Sequence, residues 1–327
     1  MSIGILGYGY YLPELVITNL EIAQRFNKAD SWIEERTGIK ERRKARSDAS
    51  TSDLAAKAAL SALHNANLTP SDIDLIIVST TTPDMLFPST ACLVQNTIGA
   101  YKAAAFDVSA ACSGFIYGLD IAANYLLSGR YKKILLIGAD IYSKITNDED
   151  LHTSILFGDG AGALILGEVP QGYGILNSTL GADGSGWELL QVPAGGSRLP
   201  LTHELLNAHS NTIVMNGSAV FQFAVKIFEK TVQELLYKSS VNLDKISLII
   251  PHQANKRILQ SVSQRLEIAP EKIYCNIEKY GNMSSASIPV ALAEAYENHK
   301  IQKGDLFLLL GFGAGLTWGA TLIRSNI

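Results

Sequence analysis

Two stretches decide the reading of this chain. The first is Gly158-Asp-Gly-Ala-Gly162-Ala-Leu-Ile-Leu166 and the second is Gly311-Phe-Gly-Ala-Gly315-Leu-Thr-Trp-Gly-Ala-Thr-Leu-Ile323. Each reads as a glycine-rich turn that leads into an apolar strand. They stand roughly 150 residues apart, too far for a solenoid and suited to a duplicated α/β unit. The flanking patterns repeat in the same order. In the first half, a helix over residues 53–64 precedes the strand Asp74-Leu-Ile-Ile-Val-Ser-Thr80, and a helix beginning near Cys112 precedes Lys133-Ile-Leu-Leu-Ile-Gly138. In the second half, a helix over 221–236 precedes Ile246-Ser-Leu-Ile-Ile-Pro-His252. Helices over 256–266 and 286–296 follow, then Asp305-Leu-Phe-Leu-Leu-Leu-Gly311. Near-continuous apolar strands joined by helices predict parallel-rich, mixed sheets covered on both faces. The expected division is 1–170 and 171–327, with its boundary at Pro170-Gln-Gly-Tyr-Gly174. The longest irregular stretch runs from about 181 to 211, a length that usually marks a functional segment.

Composition narrows the class. The 327 residues are 47% apolar and 18% charged, as in compact α/β enzymes. A net charge of −4 offers no electrostatic case for nucleic acid. The one basic cluster, Lys40-Glu-Arg-Arg-Lys-Ala-Arg46, reads first as a solvated face. No apolar run is long enough to span a membrane, and the first residues lack the features of a signal peptide. Cys92, Cys112 and Cys275 form no close pair, which fits a reduced cytoplasm and argues against a disulfide frame. The histidines have no ligand spacing, so no metal is expected.

Three segments carry chemistry. Cys112, in Asp107-Val-Ser-Ala-Ala-Cys112-Ser-Gly-Phe115, sits at an expected helix start, where a helix dipole and free N–H groups favour a thiolate. Pro251-His252-Gln-Ala-Asn255 lies at the carboxyl end of a buried strand, the usual place for α/β chemistry. Tyr280-Gly281-Asn282-Met-Ser-Ser-Ala-Ser-Ile-Pro289 brings an amide into a loop of small polar residues. The turn at Gly311–Gly315 lacks dinucleotide spacing. It is either a tight turn or a set of backbone N–H groups offered to an oxyanion. A Cys–His–Asn set suits either a papain-like hydrolase or an acyl-transferring enzyme, but the papain-type cysteine signature is absent.

Together these segments resemble the β-ketoacyl-acyl-carrier-protein synthase III family of thiolase-like condensing enzymes, over nearly the whole chain. Ser31-Trp32-Ile-Glu-Glu-Arg36-Thr37-Gly38-Ile39, Phe87-Pro-Ser-Thr-Ala-Cys92 and Phe157-Gly-Asp-Gly-Ala-Gly162 belong to the same resemblance. It implies a thiolase-like fold of α-β-α-β-α layers. It also implies decarboxylative condensation of an acyl-CoA primer with malonyl-acyl carrier protein through an acyl-Cys112 intermediate, opening fatty acid synthesis without a cofactor. His252 and Asn282 would donate to the enolate, and the backbone N–H groups of Cys112 and Ala314 to the first oxyanion. Trp32 and Arg36 would meet CoA, while Gly217, Phe221 and Asn255 would line the pantetheine tunnel. Arg257 and Lys256 would dock the acidic carrier protein. Phe87 would reach across a homodimer interface towards the partner's acyl pocket.

Three positions depart from the family pattern. Asp150-Leu151-His152 lacks an arginine expected to face Trp32, Met283 replaces a common threonine, and Ala314 replaces a common glycine. They leave open a related condensing enzyme or acyltransferase of polyketide or quinolone type. A non-catalytic carrier-binding module, with Cys112 purely structural, is the remaining class.

Overall fold

The computed structural model describes residues 1–327. A five-stranded sheet has the order β1-β7-β6-β4-β5. Its strands are β1 (Ser2–Tyr11), β4 (Leu75–Ser79), β5 (Ala104–Val108), β6 (Lys133–Ile141) and β7 (Asp159–Val169). A four-stranded sheet has the order β11-β12-β13-β8, from β8 (Gly174–Ala182), β11 (Ile246–Pro251), β12 (Leu306–Gly313) and β13 (Thr317–Arg324). Two small antiparallel pairs complete the strands: β2 (Leu15–Thr18) with β3 (Glu41–Lys44), and β9 (Leu190–Gln191) with β10 (Val214–Met215).

Both sheets are mixed in the same way. Strand β4 pairs parallel with β6, and β11 parallel with β12; the next partners, β7 and β13, run antiparallel. By position in the sheet, β7 therefore corresponds to β13. The two glycine stretches do not occupy corresponding places. Gly158–Gly162 leads into and lies within β7, whereas Gly311–Gly315 ends β12 and turns towards β13. The expectation of a turn holds only for the second, because the first glycines serve close packing against another segment.

The helices are α1 (Asn19–Arg25), α2 (Asp30–Thr37), α3 (Thr51–Asn65), α4 (Thr90–Ile98), α5 (Gly114–Leu127), α6 (Leu151–Ser154), α7 (His203–Asn207), α8 (Gly217–Ser239), α9 (Lys256–Arg265), α10 (Ile277–Tyr280) and α11 (Ser287–Glu297). Helices α5 and α11 lie between the sheets, α3 and α4 cover the outer face of the first, and α8 and α9 flank the second. The result is five layers, α-β-α-β-α. A helix sandwiched between sheets must be apolar all round. Accordingly every residue from Ser287 to Tyr296 is buried.

Strand periodicity divides each apolar run between two cores. On β4, Leu75 and Ile77 face the central helices, while Ile76 and Val78 face α3 and α4. On β12, Phe307 and Leu309 face inward, and Leu308 and Leu310 face α8 and α9. The basic cluster at residues 40–46 forms part of β3 and its flanks. Lys40, Arg43, Lys44 and Arg46 have carboxylate neighbours, while buried Arg42 donates to Ile17 O, Asn19 Oδ1 and Ile155 O.

The central layer leaves no slack where the turn before α11 crosses β6. A Cβ at Gly138 would collide with the Ser285 carbonyl oxygen. We expect Gly138→Ala to lower stability by about 1–3 kcal/mol and the melting temperature by several degrees. A thermal melt that matches the wild type would show that this spacing is not a constraint.

Candidate active site

Both central helices start at the floor of one cavity. The chain leaves β5, makes a single 3-10 turn at Ala111–Ser113 and continues into α5; a second 3-10 turn, Ser284–Ala286, leads into α11. Each turn contains a non-glycine residue in the left-handed region, Ala111 at φ 47° and Ser284 at φ 49°. Such residues are strained and persist only where packing over-determines them. Between the two turns, Cys112 Sγ lies 3.4 Å from Ser284 Oγ.

The cavity has a volume of about 1050 Å³. Cys112, His252, Asn282, Phe312 and Gly313 line it, together with Arg36, Gly217, Phe221, Asn255 and Arg257. Thus residues from the three sequence segments meet in one place. Trp32, Lys256, Ala314 and Phe87 are not among the lining residues. Trp32 is half-buried and carries the Arg36 guanidinium 4.0 Å above its ring, so the two residues form one unit beside the mouth. The stem of Lys256 packs over the Gly38 turn. Phe87 is 83% exposed, beside Leu86 at 86%, on the loop before α4.

Close backbone approach sets the position of Cys112. A Cβ at Gly313 would lie 2.7 Å from the Cys112 nitrogen, so only glycine permits this contact. The adjoining loop is pinned to the cysteine turn. Thr317 Oγ1 lies within hydrogen-bond distance of Ala110 O and Ala314 O, and Ser113 Oγ lies within reach of Ala110 O and Thr317 Oγ1. The Ala314 N–H finds no acceptor in the protein.

The thiolate expected from a helix start is not what the floor favours. Cys112 is buried, and desolvation pushes its thiol up to about 12, with the Asp140 charge adding to the rise and Ser284 opposing it. Burial of the sulfur thus favours the neutral thiol in the closed floor of the cavity.

His252 follows β11, and its backbone N–H donates to Leu310 O at 2.7 Å. Its Nδ1 is sealed in the wall without a partner, and the ring meets the Phe312 ring edge at 5.4 Å. Desolvation lowers its pKa to about 3, so the imidazole is neutral across the ordinary pH range. Asn282 Oδ1 accepts the Ser284 N–H at 2.8 Å, which turns its NH₂ group to face away from that bond as a donor. Hydrogen bonds from Asn282 N to Leu156 O and from Gly158 N to Asn282 O hold the loop against β7.

One carboxylate braces both donors. Glu294 on α11 accepts from Tyr280 OH at 2.5 Å, two residues before Asn282, and from Asn276 Nδ2 at 2.7 Å. The Asn276 N–H in turn donates to the side chain of Gln253, which follows His252. Asn255 holds the mouth: its Oδ1 accepts the Arg257 N–H and caps α9, and its Nδ2 donates to Arg36 O at 3.1 Å.

Sequence reasoning did not single out Ser284, Tyr142 or Glu294, and it named Phe312 and Gly313 only as part of the glycine-rich turn. The one available signal was the serine-rich run after Asn282. Of the departures noted above, Met283 packs with Tyr280, Ala286 and Val290, and Leu151 packs in the apolar cluster beside Trp32. Neither lines the cavity, whereas His152 does. No group of histidines, cysteines and carboxylates is arranged to hold a metal ion.

Comparison with known proteins agrees with this architecture. Residues 106–184 match the family model of 3-oxoacyl-[acyl-carrier-protein] synthase III, and residues 236–325 match the C-terminal model of the same family. The chain is 54% identical over 321 residues to beta-ketoacyl-[acyl-carrier-protein] synthase III of Clostridioides difficile, covering 98% of each chain. It is 51% identical over 324 residues to the protein of that name from Caldanaerobacter subterraneus, covering 99% of this chain and 98% of the relative. The crystal structure of 3-oxoacyl-[acyl-carrier-protein] synthase III from Aquifex aeolicus superposes with a TM-score of 0.92 at 45% identity, over 99% of this chain and 100% of that one. Fold and likeness together define a thiolase-fold condensing enzyme, an acyltransferase. The chain belongs to the 3-oxoacyl-[acyl-carrier-protein] synthase III family.

The buried imidazole links stability to pH. An unfolded histidine titrates near 6.5 and the folded one near 3, so on acidification the unfolded chain binds the proton first. The contribution is fully present above pH 6.5 and is lost as pH falls from there towards 3, at up to about 1.4 kcal/mol per pH unit. Denaturant titrations at pH 7.5 and 5 will show a smaller stability loss for His252→Asn than for the wild type. Equal losses would refute the neutral, buried state.

Proposed function

We propose that the chain joins an acyl-CoA primer to malonyl-acyl carrier protein with loss of CO₂, opening a fatty acid chain. The observation that carries this reading is the convergence of a neutral thiol, a neutral imidazole and an oriented amide in one large cavity. In the first step Sγ of Cys112 bonds to the thioester carbonyl carbon. The carbon–sulfur bond to CoA breaks, and CoA leaves as a thiol with the proton that Cys112 gave up. The N–H groups of Cys112 and Ala314 stabilise the oxyanion. The unpaired Ala314 donor supports its part, and the extra Cβ relative to glycine does not remove a backbone N–H.

In the second step malonyl-acyl carrier protein loses CO₂. The resulting enolate is negative at its thioester oxygen, where the NH₂ of Asn282 and the cavity-facing Nε2–H of His252 donate. The neutrality of His252 matters, because a donor that does not ionise neither binds the malonyl carboxylate as a salt bridge nor titrates during turnover. The enolate carbon attacks the acyl carbonyl, the Sγ–carbon bond breaks, and Cys112 takes up one proton. Each donor of this kind contributes a few kcal/mol to the transition state.

Arg36 and His152 at the mouth suit the phosphates of CoA, with Trp32 beside them for the adenine. Gly217, Phe221 and Asn255 form the tunnel wall for pantetheine. Arg257, with Lys256, forms the basic rim for an acidic carrier protein. The grouping of strands within 2–169 in one sheet and within 174–324 in the other supports a division into 1–170 and 171–327. The exposed Leu86 and Phe87 support a homodimer in which Phe87 reaches the partner's acyl pocket. Cytoplasmic location, and chemistry with acyl-CoA as substrate and no cofactor or metal, complete the proposal; no helix is long and apolar enough to cross a membrane. Since Leu151 and Met283 do not line the cavity, they lend no weight to the polyketide- or quinolone-type alternative.

Intact mass spectrometry after incubation with a panel of acyl-CoAs will find one acyl mass added to the wild type and none on Cys112→Ala. His252→Ala and Asn282→Ala will keep the acyl adduct and lose about 10²–10³-fold in condensation rate. An unmodified wild-type mass with every donor would end this reading.

A further inference from the structure

A neutral thiol must lose its proton as it attacks, and the cavity wall holds a path for it. Cys112 Sγ lies 3.4 Å from Ser284 Oγ. Ser284 Oγ donates to Tyr142 OH at 3.0 Å. Tyr142 OH lies 3.0 Å from Thr81 Oγ1, which donates to Asp140 Oδ1 at 3.1 Å. Cys112, Tyr142, Ser284 and Asp140 are all buried, so the path runs through the protein interior between β6 and the turn before α11.

The hydrogen bonds have one consistent direction. Asp140 is also the acceptor for Thr80 Oγ1, Thr82 Oγ1, the N–H groups of Thr81 and Thr82, and both the N–H and hydroxyl of Ser285. A carboxylate so surrounded accepts only, and it takes the single hydroxyl proton of Thr81. With the Thr81 hydroxyl donating to Asp140, Tyr142 donates to Thr81, Ser284 to Tyr142, and the Cys112 S–H to Ser284, an order consistent with every contact in the chain. In this order every proton of the chain points away from the sulfur.

We propose that Ser284, Tyr142, Thr81 and Asp140 form a hydroxyl relay that takes the Cys112 proton while the sulfur attacks its acyl donor. The inference rests on the acyl transfer to Cys112 proposed above. As the Sγ–carbon bond forms, the sulfur becomes acidic and its proton passes to Ser284 Oγ. Each hydroxyl in turn hands its own proton onward, and Asp140 gains one. When the bond to CoA breaks, the shifts reverse, and Ser284 gives a proton to the departing sulfur. No charge is created or lost overall. Ser284 touches the reacting sulfur and is the catalytic member; Tyr142, Thr81 and Asp140 act through it. The titratable groups buried around Cys112 are Tyr142, Asp140 and His252, and Arg36, His152, Glu188 and Arg257 line the outer cavity.

The test is the pH profile of acyl-enzyme formation, followed by rapid quenching and intact mass in a single turnover. Loading that must wait for a free thiolate climbs about tenfold per pH unit below the thiol's pKa. Loading through the relay is flat between pH 6 and 8. The wild type is expected to be flat. Tyr142→Phe and Thr81→Val are expected to be about 10²-fold slower at pH 6.5 and to climb with pH. Flat profiles in both variants, at the wild-type rate or uniformly slowed, would overturn the relay and leave these side chains a packing role. So would a wild type that itself climbs tenfold per unit. Should Tyr142→Phe fail to fold, Thr81→Val carries the same decision. A wild type that forms no acyl adduct at any pH would instead remove the acyl-transfer reading, and the relay with it.

Discussion

The structure depends on two helices being buried on both sides at once. With sheets above and below, α11 is buried from Ser287 to Tyr296 and α5 is largely buried until its last turn, where Asn124, Tyr125 and Leu127 reach the surface. Their N-terminal ends must still satisfy free N–H groups, and a layer with no water leaves few ways to do so. The chain resolves this by turning sharply into each helix, through Ala111 and Ser284 in the left-handed region, and by opening a cavity where the two helix starts meet. The reactive floor thus sits where the fold has to leave polar backbone accessible.

Desolvation then dominates the electrostatics of that floor. It raises the Cys112 thiol and lowers the His252 imidazole, opposite shifts that leave both groups uncharged. The charge beside Cys112, Asp140, is screened from the cavity by threonine and serine donors. A second buried carboxylate, Glu294, sits behind the His252 and Asn282 loops and holds them through tyrosine and asparagine intermediaries. Charge is therefore kept one hydrogen bond or more away from the reacting groups, where it orders donors without attracting counter-ions into the site.

Much of this was readable from the residues. The strand and helix runs follow from apolar periodicity, and helices expected over 53–64, 221–236, 256–266 and 286–296 form with shifts of a few residues at their ends. Cys112, His252 and Asn282 stood out because each sits at the end of a strand or the start of a helix. Strand β1 escaped notice because alternating glycine and tyrosine dilute its apolar signal. The offset between the two glycine stretches was hidden, since similar residues solve different problems: close packing of α11 on β7, and a turn beside Cys112. The protonation state of Cys112 was also out of reach, because burial arises from segments far apart in sequence. The same holds for the path through Ser284 and Tyr142, which joins residues 142 positions apart.

The small bridge at the mouth has a further consequence. Asn255 ties the first turn of α9 to the last turn of α2 with the two ends of one amide. Arg257 and Arg36 are therefore carried on backbones locked to each other rather than on separate loops. On that side of the opening the spacing of the two guanidinium-bearing backbones is set by one amide, and a long, flexible ligand must place its charged end against it.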